Sequence, residues 1–196
     1  TADTFNVFVF LEISSLSSYT LIALGTDRRA LTASYQYLIM GTIGATFIII
    51  GVGMMYMMTG TLNMYDLAER LPAVSNSRTV LCAFGFFIVG VCLKLALFPL
   101  HLWLLNAYAW APSAATAFLA ATSTKVAVYV LIRYVFSVFG VDFVGVSLPL
   151  GKIFLVLGLA GIFAASVAAI YQLNIKRLFA YSSVAQIGYM ILGLAI

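Results

Sequence analysis

The sequence predicts an all-α fold, a polytopic transmembrane helix bundle of about six spans. Three observations carry this expectation. Hydrophobic residues make up 64% of the chain and charged ones 8%, whereas a soluble domain carries about 25% charge. The charges cluster, leaving uncharged runs over 30–65, 153–175 and 178–196, each at or beyond the roughly 18 residues that make a bilayer span a candidate. The basic residues behind the net charge of +4 lie mostly at segment ends and never run longer than two. That pattern suits lipid head groups and topology control, and argues against a nucleic-acid partner.

The first span is expected over 5–25. Its interior is polar, with Glu12 followed by Ser14, Ser15, Ser17 and Ser18. At 3.6 residues per turn, Glu12, Ser15 and Tyr19 share one face, which should point into protein and away from lipid. Thr26-Asp27-Arg28-Arg29 closes the segment in water. The second span, 33–58, is long enough to tilt, and Gly41, Gly44, Gly51 and Gly53 offer close approach to neighbouring helices. Within the polar connection that follows, a short amphipathic helix is expected from Asn63, its N-cap, to Leu71. Leu62, Met64, Leu67 and Leu71 would lie in the membrane interface, with Asp66, Glu69 and Arg70 in water.

The third span, 79–103, contains Lys94. Pro99 lacks a backbone donor and clashes one turn back, so a kink or break near Leu95 is expected. Broken membrane helices survive where they line protein or a water-filled cavity. The fourth span, 113–136, carries Lys125 near its centre, with Thr122, Tyr129 and Arg133 on the same face. The fifth is expected over 151–171 and the sixth over 179–196. Cys82 and Cys92 sit in one expected helix, too far apart to bridge, and both read as small buried apolar residues. Trp103 and Trp110 read as an interfacial belt, Arg133 as a snorkelling anchor, and Lys176 and Arg177 as topology anchors. The chain opens TADTF without an initiator Met or a signal peptide and stops inside an apolar run, which suggests a processed chain or a piece of a longer protein.

The chemistry lies in three charges. Counted from the expected span starts, Glu12, Lys94 and Lys125 all fall in the middle third of the membrane. An ammonium there costs several kcal/mol unless it has a counter-ion, a water cavity or a neutral state. Desolvation favours the neutral amine and a nearby carboxylate favours the ammonium. A carboxylate that approaches and leaves therefore switches a lysine between holding and releasing a proton, and a row of such groups with water between them is a proton relay. A static Glu12–Lys94 pair that only fixes packing is the alternative. It leaves Lys125 unexplained, because Asp3, Asp27, Asp66, Glu69 and Asp142 all lie at segment ends. His101, past the break, is either a proton relay or a structural donor to freed backbone carbonyls. No phosphate loop, nucleophile elbow, haem motif or paired metal ligands occur, so neither a cofactor nor an active site within these residues is expected.

These residues resemble a known family. Phe5-Asn6-Val7-Phe8-Val9-Phe10-Leu11-Glu12, Lys94-Leu95-Ala96-Leu97-Phe98-Pro99-Leu100-His101-Leu102-Trp103, Ala111-Pro112-Ser113, Thr124-Lys125-Val126 and Lys176-Arg177-Leu178-Phe179-Ala180-Tyr181-Ser182-Ser183 look like the antiporter-like subunits. Such subunits are shared by Mrp-type multisubunit Na⁺/H⁺ antiporters, NADH–quinone oxidoreductases and membrane-bound hydrogenases. The first run and Tyr108 look most like the D subunits of the Mrp type. The resemblance implies an inverted-repeat fold with a break at Pro99, a Glu12–Lys94 pair, and a hydrophilic axis continued by Lys125. Further implications are other membrane subunits as partners, H⁺ or also Na⁺ as cargo, and a multi-pass place in a prokaryotic cell membrane. Charge counting ties, with Arg28, Arg29, Lys176 and Arg177 on one side against Arg70, Arg78, Arg133 and Lys152; the resemblance puts the first four in the cytoplasm. Leu105 stands where many members have proline, implying a less rigid chain after Trp103. The family's later broken helix, which completes the proton path, has no counterpart in this sequence.

Overall fold

The computed structural model describes residues 2–140, 143–144 and 149–195; Asp142, and Ile196 at the end of the expected sixth span, lie outside them. The elements are α1 (Thr4–Ala23), α2 (Arg29–Thr59), α3 (Met64–Val74), α4 (Arg78–Leu95), α5 (Leu102–Trp110), α6 (Ser113–Arg133) with a π-helical continuation (Tyr134–Phe139), α7 (Leu150–Ile170) and α8 (Ile175–Ala195). Among the described residues there is no strand, and six helices are long and apolar enough to cross a membrane: α1, α2, α4, α6 with its continuation, α7 and α8.

Local capping sets most boundaries. Asp3 accepts the Asn6 N–H at 2.7 Å to open α1, and Asn63 accepts the Tyr65 N–H at 2.9 Å to open α3. The Asp27 carboxylate accepts the Arg29 N–H at 2.8 Å. Helix α2 therefore starts earlier than position 33, and its 31 residues span roughly 46 Å at about 1.5 Å each, more than a bilayer core. It stops at Gly60, left-handed at φ 70°, as C-terminal glycines do. Asn174 accepts the Lys176 N–H at 2.9 Å, which starts α8 one turn before position 179.

Packing is close where glycines face each other. Helices α2 and α4 pack through Gly44 and Gly90: a Cβ on Gly90 would lie 2.7 Å from the Gly44 carbonyl oxygen and 2.9 Å from the Ile48 nitrogen. Helices α7 and α8 meet likewise, a Cβ on Gly188 lying 2.9 Å from the Gly158 carbonyl. Backbones can come this near only without side chains between them, the usual device of membrane helix pairs. Gly53, expected to serve the same purpose, meets nothing within 4 Å.

Two apolar clusters fill the interior. One joins Ile48, Phe84, Phe87, Leu131 and Tyr134 with the apolar face of α3; the other gathers Tyr19, Tyr37, Trp103, Tyr108 and Leu119. Met64, Leu67 and Leu71 are thus buried in the protein's own core, not in the lipid interface. They cover the π-helical end of α6, which a hydrophobic face read in isolation could not reveal. Cys92 is buried, but Cys82 is exposed, correcting the expectation for it. It shares the outer surface with large apolar side chains such as Phe10, Val156 and Phe163. In lipid such a surface carries no penalty, so exposure there is not a polar signal.

Gly90→Ala forces its methyl onto backbone atoms that cannot swing aside, and overpacking of this kind costs about 1–3 kcal/mol. The detergent-solubilised full-length subunit should melt several degrees lower with Gly90→Ala. Gly53→Ala, pointing into open space, should leave the melting temperature unchanged or raised.

Candidate functional site

Helix α4 stops one residue after Lys94. Ala96 takes the left-handed conformation (φ 60°, ψ 43°), its N–H donates to the Leu93 carbonyl at 3.3 Å, and the Leu97 N–H reaches back to the Cys92 carbonyl at 3.1 Å. This pair of bonds is the Schellman ending, normally built on glycine; an alanine there stores about 1–2 kcal/mol of backbone strain. The chain turns through Pro99, which is exposed, and becomes helical again at Leu102.

Backbone groups freed at membrane depth must find partners within the protein. Trp103 supplies one: its indole N–H donates to the Leu93 carbonyl at 3.2 Å. Its ring is 4% exposed and stacks on Tyr37 with centroids 4.2 Å apart, so Trp103 is no belt residue. It clips the break to α2. Trp110 is half-buried, with the Arg29 guanidinium 4.9 Å above its ring. Leu105, where a looser chain was expected, lies buried inside regular α5.

Lys94 is compensated from three directions. Its ammonium forms an ion pair with Glu12 of α1, the only ion pair among the described residues. It donates to the Ser15 hydroxyl at 2.9 Å, and that hydroxyl in turn donates to the Leu11 carbonyl at 2.8 Å. It also sits in the last turn of α4, where the helix dipole favours a cation. The lysine side chain is 8% exposed and the glutamate 24%, so the carboxylate is the less enclosed partner.

Beside the pair lies a cavity of about 50 Å³, lined by Lys94, Ser14, Ser15, Tyr37, Thr122 and Ser123, with Leu11, Gly41, Val126 and Ala127 as its apolar walls. That space and those hydroxyls are enough for a few waters. Gly41 makes room for its neighbours: a Cβ there would fall 2.0 Å from the Tyr19 hydroxyl.

Lys125 does not reach the pair. It is half-buried on α6 and donates to the Ala120 carbonyl at 2.5 Å, with no carboxylate partner among the described residues. Its neighbours Thr122 and Ser123 nevertheless line the cavity that Lys94 lines. His101 stands apart, buried, its ring 5.4 Å from Phe98 and 6.5 Å from Tyr181 of α8. Its Nδ1 has no hydrogen-bond partner, and the Leu93 carbonyl at the break is served by Trp103. Tyr37, Ser123 and Gly41 were not singled out as site residues. Their only sequence signal was polarity or small size at one helix face, and α2 and α6 come together only by folding.

The family described as NADH:quinone oxidoreductase/Mrp antiporter, transmembrane, matches residues 1–196. The N subunit of the NADH-quinone oxidoreductase of Desulforudis audaxviator is 47% identical over 196 residues, covering all of this chain and 38% of that protein. The D subunit of the Na⁺/H⁺ antiporter of Alkalihalophilus pseudofirmus is 35% identical, again over the whole chain and 39% of that protein. A chain of the archaeal membrane-bound sulfane sulfur reductase superposes over this entire chain and 39% of its own length, with TM-score 0.89 and 34% identity. The chain thus spans a little over a third of the length of the relatives it matches. It belongs to the NADH:quinone oxidoreductase/Mrp antiporter transmembrane family, as a multi-pass protein of the prokaryotic cell membrane.

Proposed function

We propose that this chain is the part of a proton-translocating membrane subunit that passes H⁺ along a row formed by Glu12, Lys94 and Lys125. One observation carries the reading: a buried lysine, held by a less buried carboxylate, opens on a hydroxyl-lined cavity that extends to the helix of a second lysine. With Glu12 in place, the Lys94 ammonium is stable. When Glu12 is protonated or drawn away, the charge loses its counter-ion in a low-dielectric site and the proton leaves Nζ for the cavity. Ser15, Thr122 and Ser123, each able to donate and accept, relay it through water toward Lys125, which has no carboxylate partner among the described residues to hold the proton there and so can pass it on. An ammonium in the wall of so small a cavity repels Na⁺, so the cargo of this row is H⁺. Pro99 and the break let Lys94 stand at a helix end; His101, past that break, does not line the cavity that Lys94 lines. The far end of the path belongs to the rest of a longer subunit, in a complex with other membrane subunits.

A second reading concerns what drives the row. Cation antiport fits the resemblance to the antiporter D subunits, but the 47% identity with an oxidoreductase N subunit, against 35% with an antiporter D subunit, favours a parent complex driven by electron transfer. The natively purified complex should then show flavin or iron–sulfur absorbance, whereas a colourless assembly of small membrane subunits returns the antiporter.

Lys94→Ala and Lys125→Ala should each reduce pH-gradient formation by the reconstituted parent complex to about a hundredth, the scale of losing a positioned proton carrier. Wild-type pumping in both variants would sink the proposal. Stability separates the static pair from the working one. Glu12→Leu alone strands a buried ammonium and should destabilise by about 3–5 kcal/mol, while adding Lys94→Leu should restore most of that loss. The double variant should fold and not transport; a purely structural pair predicts that it transports normally.

A further inference from the structure

We propose that the end of the molecule carrying Arg29 and Arg177 binds an anionic phospholipid, its phosphate between the two guanidiniums and an acyl chain in the adjoining apolar groove. Two cavities meet there. The first, about 250 Å³, is walled by Arg29, Arg177, Gln36, Asn106 and Trp110. Its polar groups are already arrayed: Arg177 donates to the Asn106 amide oxygen at 3.3 Å, and Asn106 donates to Gln36 at 2.8 Å. Trp110 holds Arg29 from below. Lys176 is not available, since its ammonium donates to the Ala111 carbonyl at 2.8 Å. Neither arginine pairs with a carboxylate among the described residues; the nearby Asp27 carboxylate accepts the Arg29 backbone N–H. Two planar cations facing one polar pocket call for a phosphate, which a guanidinium grips through paired hydrogen bonds.

The second cavity, about 640 Å³, shares Gln36, Asn106 and Arg177 with the first and is otherwise mainly apolar, running past Ile39, Met40, Leu102 and Trp103 toward Pro99. A head site that opens directly into an apolar slot selects an anion with a hydrocarbon tail over a free phosphate. Basic pockets between membrane helices bind anionic lipid head groups on this principle. The inner wall of the slot includes Trp103, the side chain that holds the Leu93 carbonyl at the break, so an acyl chain lying there braces the ending of α4 beside Lys94.

The test uses the full-length subunit in its parent complex, with phosphatidylglycerol and phosphatidylcholine as probes and native mass spectrometry as the readout. Wild type should retain phosphatidylglycerol in preference to phosphatidylcholine. Arg29→Gln with Arg177→Gln should weaken that retention about tenfold or more, as loss of charged hydrogen bonds implies. Leu102→Trp, a change at a position 67% exposed that lines the slot and not the head site, should block the slot and have the same effect. A photoreactive benzophenone side chain at position 102 keeps the test independent of how those variants fold, and should label phospholipid. Equal retention of the two lipids, unchanged retention in either variant, or labelling of the subunit's own polypeptide at position 102 would overturn the proposal.

Discussion

A lysine ammonium at membrane depth is the constraint from which the rest of the structure follows. Placed at a helix end, Lys94 gains the dipole of α4 and frees carbonyls that must then be satisfied without water. Each later feature answers one of those needs. Glu12 and Ser15 answer the charge; Ala96 and Leu97 close the helix with a reversed turn; and Trp103 takes the remaining valence of the Leu93 carbonyl. Tyr37 then stacks on Trp103 and Tyr19 meets Tyr37 edge-on at 4.8 Å, which requires that Gly41 have no side chain. A single desolvated charge thereby dictates residues on α1, α2, α4 and α5.

Stability does not explain why such a charge is kept. Exchanging a buried ion pair for well-packed apolar residues is commonly neutral or stabilising by about 1–4 kcal/mol, whereas removing one partner is strongly destabilising. A further 1–2 kcal/mol or so sits in the left-handed Ala96. A bundle built only for packing would carry leucine at both positions and continue α4 through the break. The asymmetry in burial, 8% for the lysine and 24% for the glutamate, is also what a working pair needs. A carboxylate at the more accessible side is the partner that the proposed relay requires to leave, and the lysine it would leave lines a hydroxyl-bearing cavity.

The topology was legible because helix-length apolar runs and charged caps are local signals, and Glu12, Lys94 and Lys125 stood out because a charge in such a run is costly wherever the helix goes. Pro99 announced the interruption for the same local reason. What could not be read was which surfaces meet. The apolar face of α3 looked fit for lipid and covers the end of α6; Trp103 looked like a belt residue and is an internal clip; Cys82 looked buried and is exposed. In a membrane, apolar character no longer separates inside from outside, so hydrophobicity along the sequence loses the information it carries in water. The cavity was hidden more deeply, since Tyr37 and Ser123 come from two helices other than that of Ser15 and neither is unusual by itself.

Trp103 is where the two parts of the molecule join. On one side it holds the carbonyl of the residue preceding Lys94; on the other it forms the wall of the groove that opens toward Arg177. Movement of that indole would remove one of the two donors on the Leu93 carbonyl, the other being the Ala96 N–H, and change the field at the Lys94 ammonium, because the carbonyl dipoles at the end of α4 are part of what stabilises it. Whatever fills the groove would therefore bear on the proposed proton row without touching it: a snug chain would keep the indole seated, and an empty slot would leave it freer to turn. The coupling needs no large conformational change, only a side chain shared by two sites and a charge that a displaced dipole can reach.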